Sequence, residues 1–169
     1  AGLQMRLLEH LAQAPTADDL PAYLPTALAI LRRELAKLNA GQVPLPDLLV
    51  ALRLSREPQE YKTLTPGARA ALQLQQHGKN LRPGQRVRLL YLLGGRVHAW
   101  DLPEYPKAQQ VDHARYYELA LRAASALFMP LGLSEVDLRA WLRGGIQLSL
   151  PALGASSANR PNPERLFSR

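Results

Sequence analysis

One stretch, RVRLLYLLGGRVHAWDL at residues 86–102, restricts the possible folds more than any other. Two runs of strand-forming residues flank Gly94-Gly95, and glycine supplies the positive φ angles that a two-residue hairpin loop needs. With a two-residue loop, Arg88 faces Asp101 across the strands as a charge pair. A second strand is expected upstream in LVALRLS, residues 49–55, where Arg53 and Ser55 alternate with Leu52 and Leu54. The strands follow one another without regular βαβ alternation, which argues against a doubly wound sheet.

Most of the remaining chain has helical spacing. Residues 2–13 carry Leu3, Leu7, Leu8 and Leu11 on one stripe, and Thr16 with Asp19 resembles a capping box. Pro21 and Pro25 restrict the next helix to about Thr26–Leu38, with Leu28, Leu31, Leu35 and Leu38 buried and Arg32, Arg33 and Lys37 solvated. Thr65 is an N-cap, Pro66 the first helical residue, and Gly78 the stop. In that helix Ala68, Ala71 and Leu72 share one side and Arg69, Gln73 and Gln76 another. Asp112 opens a helix that Gly132 closes near Leu131, and Ser134 with Asp137 opens another, ended by Gly144-Gly145. The fold class is therefore α+β, predominantly helical with a small antiparallel sheet. From about Leu153 the chain is polar and proline-containing and reads as a mobile tail.

Composition narrows the chemistry. Cysteine is absent from the 169 residues, which excludes disulfides, thiol catalysis and thiolate zinc sites and fits a cytoplasmic protein. No apolar run reaches the length of a membrane span, and the first residues do not read as a signal peptide. The four histidines, His10, His77, His98 and His113, lack ligand spacing, so no metal site is expected. No glycine-rich phosphate loop precedes a Lys-Ser or Lys-Thr, and Asp18-Asp19 is explained by capping. No catalytic residue is assigned.

The net charge is +7. The whole excess lies between Arg53 and Arg96, which holds nine basic residues against Glu57 and Glu60. Such a segment suits a polyanion. Within it, Arg53, Ser55, Arg56, Tyr61, Lys62 and Thr65 are expected around one ridge beside a helix amino end, where backbone N–H groups favour phosphate. Arg69, Lys79 and Arg82 extend the candidate DNA-binding set. No base-reading module is present, so binding through duplex phosphates and groove shape is expected.

Four blocks in order resemble the C-terminal thumb of family B DNA polymerases: GQVPLPDLLVALRLSREPQEYK, TPGARAALQLQQHGKNLRPGQRVRLLYLL, YPKAQQVDHARYYELALRAA and SEVDLRAWLRGGIQLSLPALG. Gly67 stands where that family often has His, and Ala99 and Trp100 where it often has an Asp-Arg pair. The resemblance implies a thumb-like domain over residues 26–152, a helical lead-in over 1–25 from a missing palm, and a tail over 153–169. It implies a grip on primer–template DNA behind the active site of a nucleotidyltransferase serving replication or repair. The palm and other polymerase domains would be partners. The palm's Asp-Thr-Asp and Lys-Lys-Arg-Tyr motifs are absent, so the chain alone is expected to lack polymerase chemistry. Mg2+ is expected only in the palm. Tyr116 and Tyr117, in the Asp112-x-x-x-Tyr-Tyr stretch, are expected to pack.

QLSLPAL, residues 147–153, is similar to the peptides by which polymerases hold a sliding clamp, with Gln147, Leu148, Leu150 and Leu153 as contacts and Pro151 where an aromatic is usual. The competing reading is a basic helical protein-interaction module, docking on a sliding clamp or on an acidic partner. No membrane partner is expected.

Overall fold

The computed structural model describes residues 2–144. The tail and the clamp-like residues Gln147, Leu148, Leu150 and Leu153 lie outside them. Five helices and three strands follow in the order α1 (Gly2–Leu11), α2 (Leu20–Asn39), β1 (Val50–Arg53), α3 (Pro66–Gln76), β2 (Arg86–Leu92), β3 (Arg96–Ala99), α4 (His113–Phe128) and α5 (Glu135–Leu142). The expected class, mostly helical with a small antiparallel sheet, is the one observed. The described residues form two compact units: residues 2–33 with 121–144, and Glu34–Ala120. Among them no single helix is long and apolar enough to cross a membrane.

In the first unit Leu7, Leu24, Leu31, Leu121, Phe128 and Leu138 are fully buried. Gln4 Nε2 donates to the Ala123 carbonyl at 3.0 Å, tying α1 to α4. The Arg32 guanidinium lies 4.0 Å from the centre of the Trp141 ring and donates to the Trp141 carbonyl near the end of α5. Arg32 is therefore a structural cation rather than a merely solvated one.

Helix α2 corrects the expected start at Thr26. It begins at Leu20 and runs through Pro25. Pro21 falls in the first turn, where its missing N–H costs nothing. Pro25 forfeits a helical hydrogen bond, at a cost of about 3 kcal/mol. Burial of Leu24, Ala27 and Leu28 on the same stretch offsets it, at roughly 1.5–3 kcal/mol for each leucine. The expected boundary at residue 26 thus lies inside a continuous helix.

The second unit holds the sheet, ordered β1-β2-β3 and antiparallel throughout. Val87, Leu89 and Tyr91 share their face with Val97 and Ala99, and all five are buried. On this side α3 packs closely: a Cβ at Gly67 would lie 3.4 Å from Leu52 Cβ and 3.7 Å from Val87 Cγ1. The hairpin differs from expectation by one residue. Leu92 pairs with Arg96, so Leu93, Gly94 and Gly95 form a three-residue loop with both glycines at positive φ. A two-residue loop would turn Val97 and Ala99 away from the core face, so burial decides the register. The Arg88–Asp101 ion pair forms nevertheless, because Asp101 lies just past the strand end and reaches back.

Tyr116 is buried, as a packing residue should be, and its hydroxyl oxygen accepts the Tyr91 N–H at 2.9 Å. Burial pushes the Tyr116 phenol up to about 12. Its ring meets Tyr91 at 5.7 Å between centroids, and the Arg115 guanidinium covers the Tyr91 ring at 3.8 Å. Tyr117 is half-buried.

Candidate nucleic-acid interface

The register of β1 on β2 places Arg53 directly opposite Arg86, and Ala51 opposite Arg88. All four are exposed. Two arginines facing each other repel, and sheets normally avoid the arrangement. Arg88 engages the Asp101 carboxylate. Arg53 and Arg86 have no side-chain hydrogen bond or ion pair among the described residues. The Arg53 guanidinium lies over the turn at Gly84, where a Cβ would come within 3.8 Å of it.

The chain leaving β1 makes a tight loop that presents two more cations. Tyr61 closes it: its hydroxyl oxygen accepts the Ser55 N–H at 3.1 Å and lies 3.1 Å from Ser55 Oγ. These bonds, the Ser55 hydroxyl first, hold the Tyr61 phenol below its ordinary range, and the Arg56 charge adds to the effect. Gln59 Nε2 donates to Gln75 Oε1 at 2.9 Å and fastens the loop to α3. Arg56 and Lys62 project from this braced loop into solvent. Ser55 and Tyr61 are thus brought together, and each spends bonding capacity on the other.

The amino end of α3 does less than the sequence suggested. Thr65 caps it, its Oγ1 accepting the Ala68 N–H at 3.2 Å. Pro66 has no N–H, Arg69 N–H bonds back to the Thr65 carbonyl, and Gly67 is buried. Few donors remain there for a phosphate. The Thr65 hydroxyl proton stays available, because the cap uses only its oxygen.

Two expected cations are committed inside the fold. Arg69 Nη1 donates to the Gly95 carbonyl at 2.7 Å, and its Nε is buried without a partner. Lys79 Nζ donates to the Asp101 carbonyl at 2.6 Å. Arg82 is exposed in the Arg82–Gln85 turn with its side chain unengaged among the described residues. The geometry therefore gathers Arg53, Arg56, Lys62 and Arg82 as open cations and adds Arg86, which the site reading missed. The Arg-x-Arg alternation of residues 86–88 signals an exposed strand face, but only the β1–β2 register shows that Arg86 meets Arg53.

Nothing in the described residues points to chemistry at bonds. Among the described residues no group of three or more His, Cys, Asp or Glu side chains could hold a metal ion. The rings of His10, His77, His98 and His113 each bond a backbone carbonyl. A shallow cleft of about 340 Å³ beside α3 is rimmed by Glu57 and Arg82, and its other lining residues carry apolar or amide side chains.

No protein-family model matches the chain. Over 150 residues, 87% of its length, it is 26% identical to DNA polymerase 2 of Aeropyrum pernix, of which it covers 17%. Its fold matches the family B DNA polymerase of the hyperthermophilic archaeon Pyrobaculum calidifontis with a TM-score of 0.59. That match has 22% identity and covers 79% of this chain and 18% of that one. The fold is shared with a family B DNA polymerase. The chain spans less than a fifth of either protein's length.

Proposed function

We propose that the chain is a segment of a family B DNA polymerase, its thumb, and that it grips the phosphates of primer–template duplex behind the active site. Two likenesses support the polymerase assignment, one in sequence and one in fold, each spanning most of the chain. The observation that carries the grip is the Arg53–Arg86 pair, exposed, facing, and without a carboxylate partner among the described residues. Such a pair costs stability in the absence of a ligand and is relieved by an anion. Arg56, Lys62 and Arg82 add point contacts. With no base-reading element, the contact is with the backbone, and it positions rather than specifies. In this proposal the thumb spans residues 26–152, with a lead-in before it and a tail after. The palm and its Mg2+ would belong to other parts of the polymerase, and this chain would supply only the hold.

Anisotropy titrations of labelled blunt duplex against salt test the proposal. With about five cations neutralising phosphates, log K should fall against log salt with a slope of about −4.5. Arg53→Gln and Arg86→Gln should each flatten the slope by about one, without sequence preference. Arg69→Gln and Lys79→Gln should leave it alone, since those cations are held by carbonyls. Identical slopes in parent, Arg53→Gln and Arg86→Gln proteins would transfer the reading to a protein-interaction module.

A further inference from the structure

The basic face of the sheet ends in an aromatic stack that duplex gripping leaves unused. Trp100 N–H donates to the Arg88 carbonyl at 2.9 Å, continuing the β2–β3 ladder by one position and setting Trp100 opposite Arg88. Opposite residues emerge on the same face, so Trp100 lies beside Arg88 and diagonally from Arg86, about 7–8 Å away. Tyr105 stacks on Trp100 with ring centroids 4.6 Å apart at 37°. Tyr105 is 60% exposed, among the most open of the large apolar side chains described. The loop behind it is braced: His98 Nε2 bonds the Glu104 carbonyl at 2.7 Å, and Lys79 holds the Asp101 carbonyl. The Asp101 carboxylate beside the stack is taken up by Arg88.

We infer that Trp100 and Tyr105 form a stacking platform for an unpaired base of single-stranded nucleic acid, with Arg86 and Arg53 receiving the adjoining phosphates. A rigid exposed aromatic beside unpaired arginines is the combination that single-strand binders use: a π-face accepts any base and cations follow the backbone. An acidic peptide could use the arginines but has no use for the stack. The platform shares its phosphate contacts with the duplex grip, but its defining feature, the aromatic pair, is independent of that reading.

The test compares a labelled blunt duplex, the same duplex carrying a dT8 extension, and free dT8. The extension should raise affinity at least about fivefold, the lower end of one stacked base. Tyr105→Ala should erase that gain and leave blunt-duplex affinity unchanged. In Trp141→Phe protein, where Trp100 is the remaining tryptophan, dT8 should quench the fluorescence saturably. No gain from the extension, or a gain that survives Tyr105→Ala with Trp100 fluorescence unmoved, overturns the platform. Loss of blunt-duplex binding with dT8 quenching retained would refute the duplex grip and leave the platform standing. An unchanged far-UV spectrum in Tyr105→Ala shows that the variant folds.

Discussion

Tyr116 and Arg86 illustrate opposite ways for a single side chain to spend free energy. Tyr116 stabilises: it is buried and its hydroxyl satisfies the buried Tyr91 N–H. Tyr116→Phe should cost about 1–3 kcal/mol, because it strands that donor. The phenol titrates near its ordinary 10 when unfolded and at about 12 when folded. Its folded value is the raised one, so its contribution is intact below pH 10 and is lost as pH climbs toward 12. About 2–3 kcal/mol should disappear over that window. Denaturant titrations at several alkaline pH values should show the decline in parent protein and a shallower one in Tyr116→Phe. Arg86 does the reverse. Facing Arg53, it repels, so Arg86→Thr should leave stability unchanged or raise it by a few tenths of a kcal/mol, more at low salt, while weakening DNA binding. Melting temperatures at two ionic strengths check the first half. The packing role of Tyr116 was legible in the sequence, because a large ring on an apolar helix stripe has few other fates. The role of Arg86 was not, because a cross-strand partner depends on a register that only long-range packing sets.

At the level of elements, local signals were read well where the determinant is local. Thr65-Pro66 starts α3 and Gly78 stops it, with Lys79 N–H and Gly78 N–H returning to the Leu74 and Gln75 carbonyls in a Schellman arrangement. Ser134 and Asp137 cap α5 through three mutual bonds. What escaped were outcomes set by tertiary burial: α2 running through Pro25, the hairpin taking in Leu93, and the polar side of α3 turning toward β3. That last case shows the physics most clearly. Val97 and Ala99 point their outer carbonyl and N–H away from β2, at the free edge of the sheet. Gln73 satisfies both, donating to the Val97 carbonyl at 2.9 Å and accepting the Ala99 N–H at 2.8 Å through its Oε1. One side-chain amide thus does for β3 what a neighbouring strand would do, and it closes an edge that would otherwise invite pairing. Gln73→Leu keeps the volume and removes both bonds. It should cost about 2–6 kcal/mol if each orphaned group costs the usual 1–3. Native-state hydrogen exchange should show the Ala99 amide losing protection before the core amide of Leu89 does. Equal protection in parent and variant would assign the edge some other cover.

For the whole chain, the decisive quantity is where the charge sits rather than how much there is. The +7 total is carried by the segment between Arg53 and Arg96, and the remainder is balanced. That much was legible from composition alone. The fold then sorts the segment: Arg69, Lys79, Arg88 and Arg96 are engaged by carbonyls and by Asp101, while Arg53, Arg56, Lys62, Arg82 and Arg86 stay open. A sequence cannot make most of this division, because the partners of Arg69, Lys79 and Arg88 lie 13–26 residues away along the chain. If attraction to DNA came from total charge, removing any cations would weaken it alike. If it comes from a local array, position should dominate. Replacing the five open residues with Gln should drive the log–log salt slope toward zero. Between 50 and 200 mM salt the parent should lose affinity by roughly 500-fold, whereas the fivefold variant should hardly change from its already low level. Arg122→Gln with Arg143→Gln, two exposed cations outside the segment, should leave the slope within about half a unit of the parent's. Parallel salt titrations of the three proteins decide between the two pictures. Proportional weakening in the Arg122/Arg143 double variant would mean that this chain is only a diffuse polycation, and the arginine pair on the sheet would lose its assigned role.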